Sequence, residues 1–276
     1  MAIITLTTDF GIKDHFIGAI KGAIYSEIPT ANVVDISHHI SPFNIQECAY
    51  ILKNAYAHFP KGSIHIIGVD AEHTPENEHI IVYVDGHYFI GANNGILSLI
   101  TADFTPEKVF SIHLPNAEKS CFATLDVFTK AACHIARGGT LEVIGKPFSA
   151  LKEVREFIPR LADNGNSIQG SILYIDNYGN GVTNIHKSMF EAYKKGRAFE
   201  LNIGRTKLSK ISQTYSSIIR FDLEPNKRKG PGDVLALFNS AGYIEIALYK
   251  SDLNSVGSAT TLLGINYMSA VTITFS

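Results

Sequence analysis

Tryptophan is absent from the 276 residues, and cysteine is scarce, at three. Cys48, Cys121 and Cys133 lie far apart with no CxxC pair. That excludes a disulfide framework and a thiolate zinc cradle, and suits a reducing compartment. No stretch approaches the roughly 20 uninterrupted apolar residues of a membrane helix. An excess of charge of either sign is also missing: 24 lysines and arginines stand against 26 acids, a net charge of -2. There is thus no electrostatic case for nucleic acid or an anionic membrane as partner. The segment Met1-Ala2-Ile3-Ile4-Thr5-Leu6 lacks a basic leader region and reads as a buried strand. A cytoplasmic location is the expectation.

Several chemical signatures are missing as well. There is no GxGxxG after the first strand and no glycine-rich Walker loop, so dinucleotides and nucleoside triphosphates in their usual modes are excluded. The eleven histidines show no HExxH or other metal spacing. His38 and His39 are adjacent, and as strand neighbours would point to opposite faces. GxSxG is absent, which removes the usual serine-hydrolase arrangement. The expectation is a protein with no metal and no cofactor.

What is present is an alternation. Ile3 to Thr7 reads as a strand ending at Thr8-Asp9-Phe10-Gly11. Phe16, Ile17, Ile20, Ile24 and Ile28 mark a helix, with Asp14 as its expected N-cap and Pro29 as its stop. Asn32 to His38 is a second strand, Asn44 to Phe59 a second helix capped by Asn44, and Ser63 to Asp70 a third strand. This β-α-β-α-β order predicts a parallel sheet with right-handed crossovers. The pattern then changes to a hairpin, Ile80 to Val84 and Tyr88 to Gly91, turned by Asp85-Gly86. Ala92-Asn93-Asn94-Gly95 is a turn into a short helix, Ile96 to Ile100. Val109 to Leu114 is a strand, and Phe122 to Ala136 a helix ended by Gly138-Gly139.

Gly145 to Gln169 carries prolines, mixed charge and Asp163-Asn164-Gly165-Asn166, and reads as an inter-domain connection. Beyond it, strands are expected at 170–176, 198–203, 218–221, 234–239, 243–249 and 270–275, with a helix over 187–195 and an exposed loop over 224–232. The predicted fold is an N-terminal Rossmann-like α/β domain (residues 1–158) followed by a small C-terminal β-barrel (residues 168–276).

Polar groups gather at strand ends. In open α/β sheets ligands sit beyond the carboxyl ends of strands. Asp70 ends the apolar run Ile66-Ile67-Gly68-Val69 and opens the polar loop Ala71 to His79. Asp9 follows the first strand, where a carboxylate can accept two ribose hydroxyls; it reads equally well as a helix cap. Asn93-Asn94-Gly95 reads equally well as a plain turn.

Taken in order, these segments resemble one family. They are Thr8-Asp9-Phe10-Gly11, Lys21-Gly22, Val34-Asp35-Ile36-Ser37-His38, Phe59-Pro60-Lys61-Gly62, Val69-Asp70 and Asn93-Asn94-Gly95. Tyr174 to Ile185, containing Asp176-Asn177-Tyr178-Gly179-Asn180, and Asn239-Ser240-Ala241-Gly242-Tyr243-Ile244-Glu245-Ile246-Ala247 complete the series. The sequence is similar to the S-adenosyl-L-methionine (SAM) hydroxide adenosyltransferases. These are the SAM hydrolases once known as DUF62, which are related to fluorinase and chlorinase. The resemblance runs from the first strand to about residue 250.

It implies hydrolysis of SAM to adenosine and methionine by a homotrimer, whose ligand lies between the N-domain of one subunit and the C-domain of the next. Asp9, beside Phe10, would hold the ribose, and Asn93-Asn94 would line the adenosine side. Asn180, with Tyr178 stacking, would meet the adenine or methionine portion from the C-terminal side. Asp176 and Ser240 would face the methionine amino and carboxylate groups. The family's catalytic set is an Asp, an Arg and a His. Asp70 matches the Asp, whereas the Arg falls near Asn77 and the His falls on Ala123 in Phe122-Ala123-Thr124-Leu125-Asp126. Three readings follow. Hydrolysis persists with a rebuilt water site, Asp70 with His73 or Glu72 and with Thr124 orienting the water. Alternatively, the protein binds SAM or adenosine without turnover. The third, halogenation, is disfavoured, because the fluorinase branch has an insertion before the Asn-Asn-Gly turn and lacks the Asp at position 70. The segment 248–262 departs from the family at the adenine end of the pocket.

Overall fold

A computed structural model describes residues 3–115, 117–154, 157–253 and 255–276. Met1 and Ala2, expected to open the first strand, and Asn254, in the segment that departs from the family, lie outside the described residues. The chain divides into two compact units, Met1–Glu156 and Phe157–Ser276.

The first unit is a seven-stranded sheet between two helical layers, in the order β2-β1-β3-β5-β4-β6-β7. Strands β1 (Ile3–Thr8), β2 (Asn32–Ser37), β3 (Ile64–Gly68) and β5 (His87–Ala92) pair in parallel. Strands β4 (His79–Val84), β6 (Lys108–Ile112) and β7 (Gly145–Pro147) extend the sheet antiparallel. The β4–β5 hairpin turns on Asp85 (φ 49°) and Gly86 (φ 76°), the two left-handed residues that a type I′ turn needs.

Alternation sorts the strand residues between two cores. Ile4, Leu6, Ile64 and Ile66 pack with Ile17, Ile20 and Ile24 of α1 (Phe16–Glu27). Ile67 and Val69 pack on the opposite side with Cys48, Leu52 and Tyr56 of α2 (Ile45–Tyr56) and with α3 (Ile96–Ile100). The Asn44 side chain caps α2 by accepting from the Glu47 N–H at 3.1 Å. Helix α1 differs from the expectation: His15, not Asp14, is its N-cap residue, and no side chain caps it. The helix predicted from Phe122 begins instead with a π-helical stretch, Thr124–Thr129, that runs into α4 (Lys130–Ala136). His38 and His39 lie just past the end of β2, one buried and one exposed, so they are not strand neighbours.

The second unit is a barrel-like, largely antiparallel sheet. Its strands are β8 (Arg160–Ala162), β9 (Ser167–Ile175), β10 (Gly181–His186), β11 (Phe199–Ile203), β12 (Thr206–Leu208), β13 (Ile211–Ser212), β14 (Val234–Phe238), β15 (Tyr243–Leu248) and β16 (Ala270–Phe275). Phe190, Ile172, Ile246 and Ile273 centre its core. The expected connection over 145–169 contains the boundary between the two units, with Gly145–Pro147 paired to β6 and Arg160–Ala162 to β9 at its ends. One expectation is corrected here. The strand expected over 218–221 is absent: Tyr215–Ile218 is a 3-10 turn that Thr214 and Ser217 cap reciprocally. Hydroxyl groups on either side of an N-terminus satisfy its free N–H groups, and that local bonding outcompetes the β tendency of Ile218 and Ile219.

Between sheet and α2 lies a buried imidazole pair. His65 Nδ1 is 2.7 Å from Thr5 Oγ1, and His65 Nε2 is 3.2 Å from His87 Nδ1. Burial, with His87 adding to it, pushes the His65 pKa from 6.5 down to about 3. The unfolded chain therefore binds the extra proton between those two values, and stability rises with pH across that window. Stability from this source is complete above pH 6.5 and is lost towards pH 3, at a slope of about 1.4 kcal/mol per pH unit. Urea unfolding at pH 7, 6 and 5 should show this decline, with a shallower slope in His65→Phe. An unchanged slope in the variant would remove His65 as the source.

Candidate functional site

The carboxyl ends of β1 and β3 meet at Asp9 and Asp70. Asp9 Oδ2 accepts the Phe43 N–H at 2.9 Å. Burial raises the Asp9 carboxyl above its ordinary range, partly offset by that hydrogen bond, and the neighbouring Asp70 carboxylate pushes the same way. The two acids thus share one site. The loop after Asp9 is pinned from β2, since Gly11 N–H donates to His38 O at 2.7 Å and His38 Nδ1 lies 2.8 Å from Thr8 Oγ1. Phe10 does not stand free beside Asp9. It packs edge-on to Phe122 (5.6 Å between centroids) and against Phe16 (5.6 Å).

Asp70 is held in a left-handed conformation, φ 46°, that side-chain-bearing residues rarely adopt. The buried Asn94 holds it there, its Nδ2 donating to Val69 O (3.2 Å) and Asp70 O (3.0 Å) while its Oδ1 accepts from Ile96 N–H (3.1 Å). Asn93, also buried, donates to Ala150 O (2.9 Å) and accepts from Lys152 N–H (2.8 Å). Both asparagines are therefore committed to building the site.

Thr124 packs directly on β3. A Cβ added at Gly68 would lie 2.9 Å from Thr124 Oγ1, so only glycine allows this approach. The Thr124 hydroxyl is fully buried and has no hydrogen-bond partner among the described residues. It opens the π-helical stretch, closed by Thr129 Oγ1 donating to Thr124 O at 2.8 Å. Such stretches recur at functional sites. Ala123 is buried in the core.

His73 is not brought to Asp70 by any hydrogen bond or ion pair among the described residues. It lies 3.8 Å from Glu78 Oε2, and its ring meets that of His79 at 5.0 Å. His73, Glu78 and His79, with His113 and Leu114, line a cavity of about 330 Å³. His79 Nε2 donates to Ala71 O at 3.0 Å, and burial lowers its pKa. Among the described residues no group of three His, Cys, Asp or Glu is arranged to hold a metal.

In the second unit Asp176, Asn180 and Tyr178 form one turn. Asp176 Oδ1 accepts the N–H groups of Tyr178 and Asn180 (2.8 Å each), and its Oδ2 accepts Asn180 Nδ2 at 3.0 Å. Asn180 is buried, and its Oδ1 accepts Ser251 Oγ–H at 3.2 Å. Tyr178 is exposed, with its ring available for stacking. Ser240 is exposed on the β14–β15 turn.

The sequence reading includes Glu245 in the Asn239 to Ala247 segment but gives that residue no role. It is 3 % exposed, accepts Tyr215 Oη–H at 2.8 Å, and has Asn239, Asn180 and Asp176 close by. Burial raises its carboxyl above the usual range. Glu245 ties the turn carrying Ser240 to the turn carrying Asp176. The available signal was one acid inside the otherwise apolar run Ile244 to Leu248.

Comparison with known proteins bears on this arrangement. The family model for the SAM hydroxide adenosyltransferase N-terminal domain matches residues 4–145, and that for the C-terminal domain matches residues 170–272. An (R)-S-adenosyl-L-methionine hydrolase of Methanocaldococcus jannaschii is 26 % identical over 99 % of this chain and 96 % of its own. A fluorinase of Actinoplanes is 22 % identical over 89 % of this chain and 90 % of its own. An uncharacterized conserved protein from Thermotoga maritima has the same fold, with a TM-score of 0.82 at 23 % identity over 99 % of this chain and 100 % of its own.

Proposed function

Because the chain belongs to the SAM hydroxide adenosyltransferase family, we propose that it hydrolyses S-adenosyl-L-methionine to adenosine and L-methionine. One observation carries this reading beyond membership. The carboxylate of Asp70, at the end of β3, is fixed beside that of Asp9 in a backbone conformation that costs free energy and that Asn94 maintains. Strain of this kind gathers at functional sites.

In the proposed step the oxygen of a water attacks the ribose C5′, and the C5′–S bond breaks. Methionine leaves with the electron pair, and the water's proton passes to Asp70 or to solvent. The sulfonium leaves readily, so no general acid is required. The demand falls on placing the water in line and drawing off its proton. Asp70 is the base, and Thr124, whose buried hydroxyl lacks a partner among the described residues, orients the water. Asp9 takes the ribose hydroxyls. Tyr178 of a neighbouring subunit offers a stacking face for the base, while Asp176, Asn180 and Ser240 of that subunit complete the proposed contacts. His73 acts with Glu78 at the edge of the site, supporting the loop rather than paired with Asp70. A homotrimer, implied by the family resemblance, and a cytoplasmic location, expected from the N-terminal segment and the cysteine usage, belong to the same proposal. SAM is the substrate, and no cofactor is invoked.

A second reading, binding without turnover, draws on Ala123 and Asn77 standing where the family pattern has His and Arg. One experiment separates the two. The purified protein is incubated with SAM and the mixture resolved by liquid chromatography, alongside calorimetric titration of SAM and adenosine. Adenosine and methionine in equal amounts establish hydrolysis. Saturable binding without products means a ligand-holding protein, and neither result removes the nucleoside site altogether.

A further inference from the structure

The loop that begins at Asp70 is acidic. Residues 70–79 contain Asp70, Glu72, Glu76 and Glu78 and no lysine or arginine, and neither lysine nor arginine occurs between Lys61 and Lys108. A reaction that develops hydroxide character beside a carboxylate is opposed by such a field unless a cation comes from elsewhere.

An exposed lysine from a distant segment meets this loop. Lys152 Nζ donates to Asn77 Oδ1 at 3.2 Å. This contact follows from the architecture. Asn93 and Asn94 are neighbours in sequence, and each fastens a different segment to the end of β5. Asn94 holds the Asp70 carbonyl, whereas Asn93 binds the 150–152 stretch through Ala150 O and Lys152 N–H. Val154 N–H donates to Ser98 Oγ at 3.1 Å and anchors the far end of that stretch. Asn93 N–H also donates to Glu78 O at 2.7 Å, tying the acidic loop to the same turn. The backbones of Asp70 and Lys152 are thus fixed to consecutive residues, and the lysine side chain spans from there to the loop. Its acceptor is a neutral amide, so that contact leaves the ammonium charge uncancelled.

We propose that Lys152 is a positioning residue of this site, holding the 71–79 loop through Asn77 and providing the positive field that favours a hydroxide-like nucleophile beside Asp70. The proposal rests on the hydrolytic reading above. It replaces a cation local to the loop with one delivered by a strap 75 residues further along the chain.

The test measures SAM hydrolysis from pH 5 to 9 for the wild type, Lys152→Met, Lys152→Arg, Asn77→Ala and the Lys152→Met/Asn77→Ala double variant. Lys152→Met should lower kcat by roughly tenfold or more with KM changed by less than about threefold. It should also move the rising limb of the pH–rate profile to higher pH, because the nucleophile loses its favourable charge. Lys152→Arg should restore both quantities. The double variant should be no worse than the poorer single variant, since both changes break one interaction. A purely structural role would reduce the active fraction without moving the limb. A Lys152→Met enzyme with wild-type kcat and an unmoved profile overturns the proposal. If the wild type itself releases no adenosine, the hydrolytic reading falls, and hydrogen exchange then judges the strap alone. Faster exchange of amides 71–78 in Lys152→Met and Asn77→Ala supports it, and unchanged exchange overturns it.

Discussion

Asp70→Asn should cut adenosine release from SAM by about 10²–10⁴-fold, the range expected when a positioned general base is lost. Asparagine is the informative replacement. It tolerates the left-handed backbone that Asp70 adopts at φ 46° and keeps a hydrogen-bonding side chain, so the charge alone is removed. Asp70→Ala should match it in rate and add about 1–2 kcal/mol of backbone strain. The comparison therefore separates chemistry from folding. Loss of the Asp70 charge should also relieve Asp9, whose raised carboxyl owes part of its shift, after burial, to that neighbour. Hydrolysis by Asp70→Asn within tenfold of the wild type would leave Asp70 without the role of base.

Gly95→Ala should destabilise the first unit by about 2–4 kcal/mol, the sum of a side chain forced into positive φ and an overpacked contact. Gly95 sits at φ 101° at the N-terminus of α3, and an added Cβ would lie 2.0 Å from Val154 Cγ2 and 3.0 Å from Val154 Cβ. Valine has no flexible end to swing away, so either the turn or the 150–154 strap must move. Both are attached to the site, one through Asn94 to Asp70 and the other through Asn93 to Lys152. Urea unfolding monitored on the α/β unit measures the loss. A change below about 0.5 kcal/mol, the range of a neutral surface substitution, would show that the strap yields freely.

The alternation of apolar runs made the fold class legible. Ile4, Leu6, Ile64 and Ile66 against Thr5, Thr7 and His65 already divide β1 and β3 into two faces, and each face found its helical layer. Local punctuation was equally clear at Asn44 and at Asp85-Gly86, where one side chain or one pair of backbone angles decides the structure. Misreadings arose where two local tendencies compete. Ile218 and Ile219 favour a strand, but the hydroxyls of Thr214 and Ser217 close a turn first. Asp14 resembles a cap, yet the helix begins at Phe16, where the aromatic contacts with Phe10 and Phe122 place it.

The candidate site divides in the same way. The sequence by itself determined that a carboxylate would stand at the end of the first strand and another at the end of the third. Strand periodicity places residues on faces and at ends without knowledge of distant neighbours. It also marked the turn Asn93-Asn94-Gly95 and, through ordered motifs, the family. Only the tertiary structure decided which contacts those residues make. Asn93 and Asn94 are consumed in fastening two remote segments, His73 turns to Glu78, Glu245 joins two turns of the barrel-like unit, and Lys152 reaches an acidic loop 75 positions away. These are contacts between segments far apart in the chain. Their energies depend on separations of a few ångströms that no local pattern encodes, and the packed sheet fixes them.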